Sequence, residues 1–471
     1  MFFLETHNRN RWSPASRPVF ALLVCLILSP AAIAQVTQPL PAPPESPAQQ
    51  GTSLRLESLS LFTGYYSSGF DVANSQTINP NALSPDVMIG SSATIKWDRP
   101  TERSDVFMAY SAEYTGHLRY SDWQNLNHSF NLNVSRTLGR WDFHFSAAAA
   151  LTTLENMLFE QNALANVASV KSSFDDLTAG IMRGTFQNRA LAPVLSGVQA
   201  VASPTLLLYG ARALTTAAQV AVTNHLSSRS SISVSVGGNR NEGLPLSNAV
   251  VAAGATPGLL SATTANVAVS MSHSLSPRTE VTVSFGTNRT VSRLQDAYFN
   301  SGNLAITHTL NEHWFAGVHG GGGNIVPVKQ LQVSQTSLPY IAGGSLGYKT
   351  FAHTFLVAFD RTFVDSYGFG AGAMLTSNAA WNWTRAGGAW RLRASVSQQR
   401  IVNSAYATID TWQATIGLRR LLSPHAALTA EYGYMRYSGV PPTTPSLLAE
   451  TASPSAVRLV VSWAPGLSLV P

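Results

Sequence analysis

From Leu54 onward the chain alternates apolar and polar residues with a period of two. The clearest runs are Ser231-Ile232-Ser233-Val234-Ser235-Val236 and Glu280-Val281-Thr282-Val283-Ser284-Phe285. Asn266-Val267-Ala268-Val269-Ser270-Met271, Asp142-Phe143-His144-Phe145-Ser146 and Arg458-Leu459-Val460-Val461-Ser462-Trp463 continue the type. Successive side chains of a strand point to opposite faces, so Val281, Val283 and Phe285 share one face and Glu280, Thr282 and Ser284 the other. The runs predict strands over 54–66, 86–97, 105–116, 126–137, 140–151, 211–225, 229–239, 262–274 and 278–289. They continue over 298–309, 313–321, 338–350, 353–364, 369–384, 389–400, 407–421, 425–437 and 455–464. That makes eighteen strands, with sixteen or fourteen open at the less regular ends of the series.

A short phrase recurs between the runs: Arg136-Thr137-Leu138-Gly139-Arg140, His225-Leu226-Ser227-Ser228-Arg229, His273-Ser274-Leu275-Ser276-Pro277-Arg278, His308-Thr309-Leu310-Asn311-Glu312-His313 and Arg420-Leu421-Leu422-Ser423-Pro424-His425. A looser copy is Lys349-Thr350-Phe351-Ala352-His353. A basic residue, a bulky apolar residue, turn formers and a second basic residue suit a tight hairpin at a lipid headgroup layer. The other connections are long and rich in Gly, Asn, Ser and Pro, as in Asn239–Ser261, Gly322–Ser337 and Ser438–Pro454. Short turns on one side and long loops on the other are the asymmetry of a transmembrane antiparallel up-and-down β-barrel. About ten residues per strand suffice to cross a bilayer at barrel tilt.

Composition narrows the class further. Charged residues are 11% and hydrophobic residues 45%. A soluble domain carries roughly 25% charge. No segment after residue 34 has about 18 consecutive apolar residues, as a spanning helix would need. Little charge with ordinary apolarity fits a barrel, with apolar residues toward lipid and Ser, Thr, Asn, Gln and Gly toward water.

Residues 1–34 read as a secretory signal, with Arg9, Arg11 and Arg17 before the apolar stretch Val19–Leu28 and an Ala32-Ile33-Ala34 cleavage site. Cys25, the single cysteine, lies inside that stretch, so no disulfide or thiol chemistry is expected in the mature chain. Removing the signal takes three arginines and one glutamate from the net charge of +6, leaving +4, too small an excess to suggest nucleic acid. Residues 35–51 form a Pro-rich leader (Pro39-Leu40-Pro41-Ala42-Pro43-Pro44) that reads as a periplasmic spacer, able to meet periplasmic partners, or as a tail without a role. Residues 52–464 form the barrel and 465–471 a C-terminal tail.

The segment 152–208 is too long for an ordinary loop. It either folds into the lumen or caps the barrel externally; its charges Lys171, Asp175, Asp176, Arg183 and Arg189 are the candidates for a constriction. Trp97, Trp141, Trp314, Trp381, Trp383, Trp390 and Trp463 lie close to predicted turns or termini of one side, where an indole settles at the lipid–water boundary.

No enzyme constellation is present. The histidines at 225, 273, 308, 313, 353 and 425 belong to different turns and lack metal-ligand spacing. Gly320-Gly321-Gly322-Gly323 opens no helix that could cradle a phosphate. No G-x-S-x-G elbow occurs. Neither an enzyme, a metal nor a cofactor is expected. The remaining chemistry is charge on the water-facing phase of the strands: Lys96, Glu113, Glu280, Asp360, Arg391, Arg393, Arg419, Glu431 and Arg458 are candidate pore-lining residues. Toward lipid at mid-depth an Arg or Lys costs about 2–4 kcal/mol, which favours the lumen.

In its signal sequence, alternating strands and repeated turns the chain resembles the porin-like β-barrels of the Gram-negative outer membrane over roughly 54–463. The resemblance implies that outer-membrane lipid, lipopolysaccharide and the outer-membrane assembly machinery are partners. It implies a channel for passive diffusion of small solutes. An outer-membrane conduit in an export pathway, for example for polysaccharide, and a plugged structural or adhesive barrel are alternatives. Such barrels end on an aromatic residue; here Trp463 is followed by eight more residues.

Overall fold

The computed structural model describes residues 53–67, 85–101, 103–119, 124–153, 211–245, 261–292, 295–330, 340–365, 371–385, 388–402, 409–438, 451–452, 455–465 and 467–468. Within them lie eighteen long strands. The first nine are β1 (Ser53–Ser67), β2 (Asp86–Pro100), β3 (Ser104–His117), β4 (Asn125–Leu138), β5 (Trp141–Thr153), β6 (Ala211–His225), β7 (Ser230–Pro245), β8 (Ala262–Ser276) and β9 (Thr279–Ser292). They continue as β10 (Gln295–Thr309), β11 (Trp314–Gln330), β12 (Tyr340–Lys349), β13 (His353–Asp365), β14 (Ala371–Thr384), β15 (Trp390–Val402), β16 (Ile409–Leu421) and β17 (Ala426–Ser438). After the two-residue β18 (Thr451–Ala452), the last long strand is β19 (Ser455–Trp463), followed by the two-residue β20 (Leu467–Ser468).

Each long strand pairs antiparallel with the next, and β19 pairs with β1, Leu59 opposite Trp463 and Ser67 opposite Ser455. The sheet therefore closes on itself and leaves no long edge with unpaired amides, the condition for crossing hydrocarbon with strands.

Alternation sorts the two faces. Outward positions are apolar and exposed, among them Leu61 at 68%, Phe285 at 64% and Val318 at 59%. Inward positions are buried and mostly polar, among them Ser60, Thr94, Ser111, Asn127, Gln219, Thr282, Asn303 and Thr429, with apolar Phe62, Met88, Leu356 and Met435 between them. Inward hydroxyls bond across strands: Thr94 Oγ1 donates to Ser111 Oγ at 3.1 Å, and Ser272 and Thr282 share a bond of 2.9 Å. Ser395 and Thr415 share one of 2.6 Å. A closed, even-numbered barrel, apolar outside and hydroxyl-lined inside, is an outer-membrane architecture, and at this strand number it leaves an aqueous channel.

Several strands run further than the alternation predicts. β11 continues to Gln330 rather than ending at 321, and β7 continues to Pro245 rather than 239. The loops expected from Gly322 and from Asn239 begin correspondingly later. Ladder bonds join backbones, so Gly320–Gly323 pair with β10 (Gly321 opposite Asn303) although they carry no side chains to reveal a period. The predicted C-terminal tail contains β20, which extends the ladder along β1, Leu467 opposite Leu56. The signal, the leader and 154–210 lie outside the described residues.

Candidate functional site

Nine charged positions were expected on the water-facing phase, and the register puts each on the inner face of its strand. Arg391 and Arg393 share their phase with Ser395, Ser397 and Gln399, while Trp390 and the exposed Val396 lie on the other. Arg419 is the direct cross-strand partner of Arg391, and Gly417 that of Arg393. Gly417 in turn faces Glu431, and Glu431 faces Arg458. Directly opposed side chains sit about 5 Å apart at Cβ. One sector of the inner wall, β15 to β19, therefore carries four guanidiniums.

Arg458 is tied down within this sector. Its Nε and Nη2 donate to Glu431 Oε2 at 2.9 and 2.7 Å, and Nη1 lies 3.7 Å from Glu113 Oε1 on β3. To reach β3 it crosses β1 and β2, with its guanidinium 5.2 Å from the centre of the Phe62 ring. Arg458 and Glu113 side chains are only 4% and 6% exposed, so the pair is desolvated and each charge depends on the other. Glu431, the inner carboxylate of the sector, and Glu113 of β3 are thus both engaged by one arginine. Arg391 and Arg393 have no ion pair among the described residues, and the Nε of each is buried without a hydrogen-bond partner.

The other candidates lie elsewhere on the wall. Lys96 stands 3.5 Å from Asp98 and 5.0 Å from the centre of the Phe107 ring. Asp360 on β13 pairs with His319 of β11 at 2.8 Å, across the intervening Gly343 of β12. Glu280 Oε1 accepts a long bond of 3.4 Å from Thr282. Lys171, Asp175, Asp176, Arg183 and Arg189 lie outside the described residues. Trp97, Trp141, Trp314, Trp381, Trp383, Trp390 and Trp463 fall at the short-turn ends of their strands, on the outward phase; Trp141 and Trp463 are 48% and 45% exposed.

Sequence reasoning missed several inner-wall groups, His319 among them. Asp98 and His117 each lie one residue beyond the predicted strands 86–97 and 105–116, on the phases of Lys96 and Glu113, and Asp86 opens the first of these strands on the phase of Met88, so the alternation already reached it. His117 Nδ1 and Asp86 Oδ2 are 3.0 Å apart in a fully buried pair, and Asp86 Oδ1 also accepts from the Arg119 amide. Arg55 carried no such signal. Counted back from Ser58 and Ser60 it belongs to the lipid phase, but a β-bulge between Leu56 and Ser58 shifts the register. Arg55 consequently opposes Lys96 and bonds to Asp98 Oδ2 at 2.8 Å.

Among the described residues no group of three or more His, Cys, Asp or Glu could hold a metal ion. No protein family and no curated protein matches the sequence. Solved structures that resemble the barrel include OpdL of Pseudomonas aeruginosa, 10% identical with a TM-score of 0.39, covering 89% of this chain and 99% of that one. OpdQ of the same organism is 9% identical with a TM-score of 0.41, over 88% and 99% of the two chains. OccAB4 of Acinetobacter baumannii is 10% identical with a TM-score of 0.40, over 89% and 99%. Likeness at that level adds nothing to the strand register, on which the fold stands.

Proposed function

We propose that this barrel is a passive diffusion channel of the outer membrane for small solutes, and that it favours anions. The observation that carries the reading is the excess of guanidiniums over carboxylates on the inner wall of β15–β19. Arg391, Arg393 and Arg419 lie within two residues of register of one another, while the carboxylates of Glu113 and Glu431 are held by Arg458. Hydroxyls and amides such as Ser397, Gln399, Thr411, Gln413 and Thr429 share the inner face of these strands with the guanidiniums.

Charge on a channel wall raises the local concentration of counter-ions and lowers that of co-ions. Two unit charges 4 Å apart interact by about 1 kcal/mol in water and about 4 kcal/mol at an effective dielectric of 20. A narrow water-filled passage lies between these limits, so a net positive sector of this size is enough to discriminate.

Planar-bilayer recording under a potassium chloride gradient tests this. A reversal potential of the sign set by chloride permeation is expected, moving toward zero in R391Q/R393Q/R419Q. A correctly folded barrel that stays electrically silent would reject the channel; a cation-selective one would reject the anion preference.

A further inference from the structure

The recurring turn phrase has no use in a pore wall, because it lies at the rim. Its residues are joined into a ring. The carbonyls of Arg103, Arg140, Arg229 and Arg278 each accept the amide at the end of the neighbouring hairpin, from Thr137, His225, Ser274 and Thr309, all at 2.8 Å. His313 and His425 do the same for Lys349 at 2.9 Å and Ala464 at 2.7 Å. The second basic residue of each phrase is thereby pinned two strands from the next, about 10 Å at the usual strand spacing.

Their side chains stay exposed. Arg140, Arg229 and Arg278, and the exposed Arg385 of the β14–β15 turn, have no ion pair among the described residues. Nearby carboxylates are engaged by histidines: Asp142 by His225 at 2.6 Å and Glu312 by His313 at 3.5 Å.

In the close copies of the phrase the bulky residue points outward, in phase with the lipid-facing positions of the preceding strand. Leu226, Leu275, Leu310 and Leu422 are 50–60% exposed in this phase, and Phe351 is 91% exposed. A turn that met only water would gain nothing from these groups. An outward apolar side chain beside an unpaired guanidinium matches one chemistry, an acyl chain joined to a headgroup phosphate.

We propose that the short-turn rim is a binding collar for anionic phospholipid of the leaflet it meets, with Arg140, Arg229, Arg278 and Arg385 on the headgroups. The proposal rests on the transmembrane reading of the barrel and not on its being a channel, so conductance and lipid readouts fail independently.

Thermal unfolding of the full chain in nanodiscs of phosphatidylcholine, against nanodiscs of phosphatidylcholine mixed with phosphatidylglycerol, tests it. A Tm higher by several degrees with phosphatidylglycerol is expected. The difference should shrink at about 1 M salt, where the Debye length is about 3 Å, and vanish in R140Q/R229Q/R278Q/R385Q. Equal Tm values in the two lipids would overturn the proposal, as would a quadruple variant that keeps the full difference. Should that variant fail to fold, R140Q/R278Q serves instead; it should lose about half of the shift if each guanidinium acts alone, and keeping all of it would overturn the proposal.

Discussion

Phe62 occupies the space that a side chain at Gly90 would fill. A Cβ at position 90 would come within 2.2 Å of the Phe62 Cζ and 2.3 Å of the Tyr114 carbonyl oxygen. The two residues are direct cross-strand partners on the inner face. The absent side chain lets the Phe62 ring lie along the wall, and Arg458 then rests on the ring on its way to Glu113.

Gly90→Ala should therefore act beyond its own position. One contact is backbone, so rotation of the Phe62 ring cannot relieve the crowding. Overpacking of this kind costs about 1–3 kcal/mol. Equilibrium unfolding of the refolded barrel should report that loss, and unchanged stability would show that Phe62 has another place to go.

Arg458→Met should be more severe than either Glu113→Gln or Glu431→Gln. It leaves Glu113 and Glu431 without the guanidinium that they share. Breaking a buried pair from one side costs about 3–5 kcal/mol, whereas replacing the whole set is often neutral. R458M/E113Q/E431Q should accordingly recover most of the stability that R458M loses in the same unfolding measurement.

Charge reversal on β15 should invert selectivity. R391E/R393E places two carboxylates beside Arg419, where two guanidiniums stood. The anion-to-cation permeability ratio from reversal potentials should fall below one while single-channel conductance changes little. A ratio that does not move would place the selective element elsewhere.

Deleting Glu57 should remove the bulge in β1 and leave position 55 on the inner face, opposite Lys96, because Ser58 would then follow Leu56 in a regular ladder. R55C, in a chain whose Cys25 is replaced, supplies a single thiol that reports this. A charged maleimide should label that thiol rapidly from the lumen. In the deletion background labelling should be equally fast. Labelling slowed several-fold in the deletion background would mean that β1 slips its register and turns position 55 outward.

Gly139→Ala should destabilise the β4–β5 turn by about 1–2 kcal/mol, because Gly139 has φ = 63°, a left-handed conformation that strains residues with a Cβ. Gly139→Asn should lose less, since Asn tolerates this region. Thermal unfolding of the two variants orders them; an alanine variant as stable as the asparagine one would indicate a turn free to change type.

Much of the wall was legible because a barrel strand has two solvents, one on each face, and every second residue reports which. That is why the nine charges from Lys96 to Arg458 could be assigned to a face by counting alone. Counting failed where the reporters were silent or the count was interrupted. Gly320–Gly323 have no side chains, so the length of β11 was invisible. The bulge before Ser58 adds one residue to β1, so the inward placement of Arg55 was invisible.

By itself the sequence determined the barrel, a series of eighteen runs with sixteen or fourteen strands left open, the alternation of short turns with long loops and the face on which each regular residue sits, because these follow from local alternation and from lipid's intolerance of bare amides. Only the tertiary structure decided which inner charges meet. Arg458 pairs with Glu431, 27 residues earlier, and reaches Glu113 across the closure of the sheet. Those neighbours are set by register and barrel closure, which bring together positions that no local period relates.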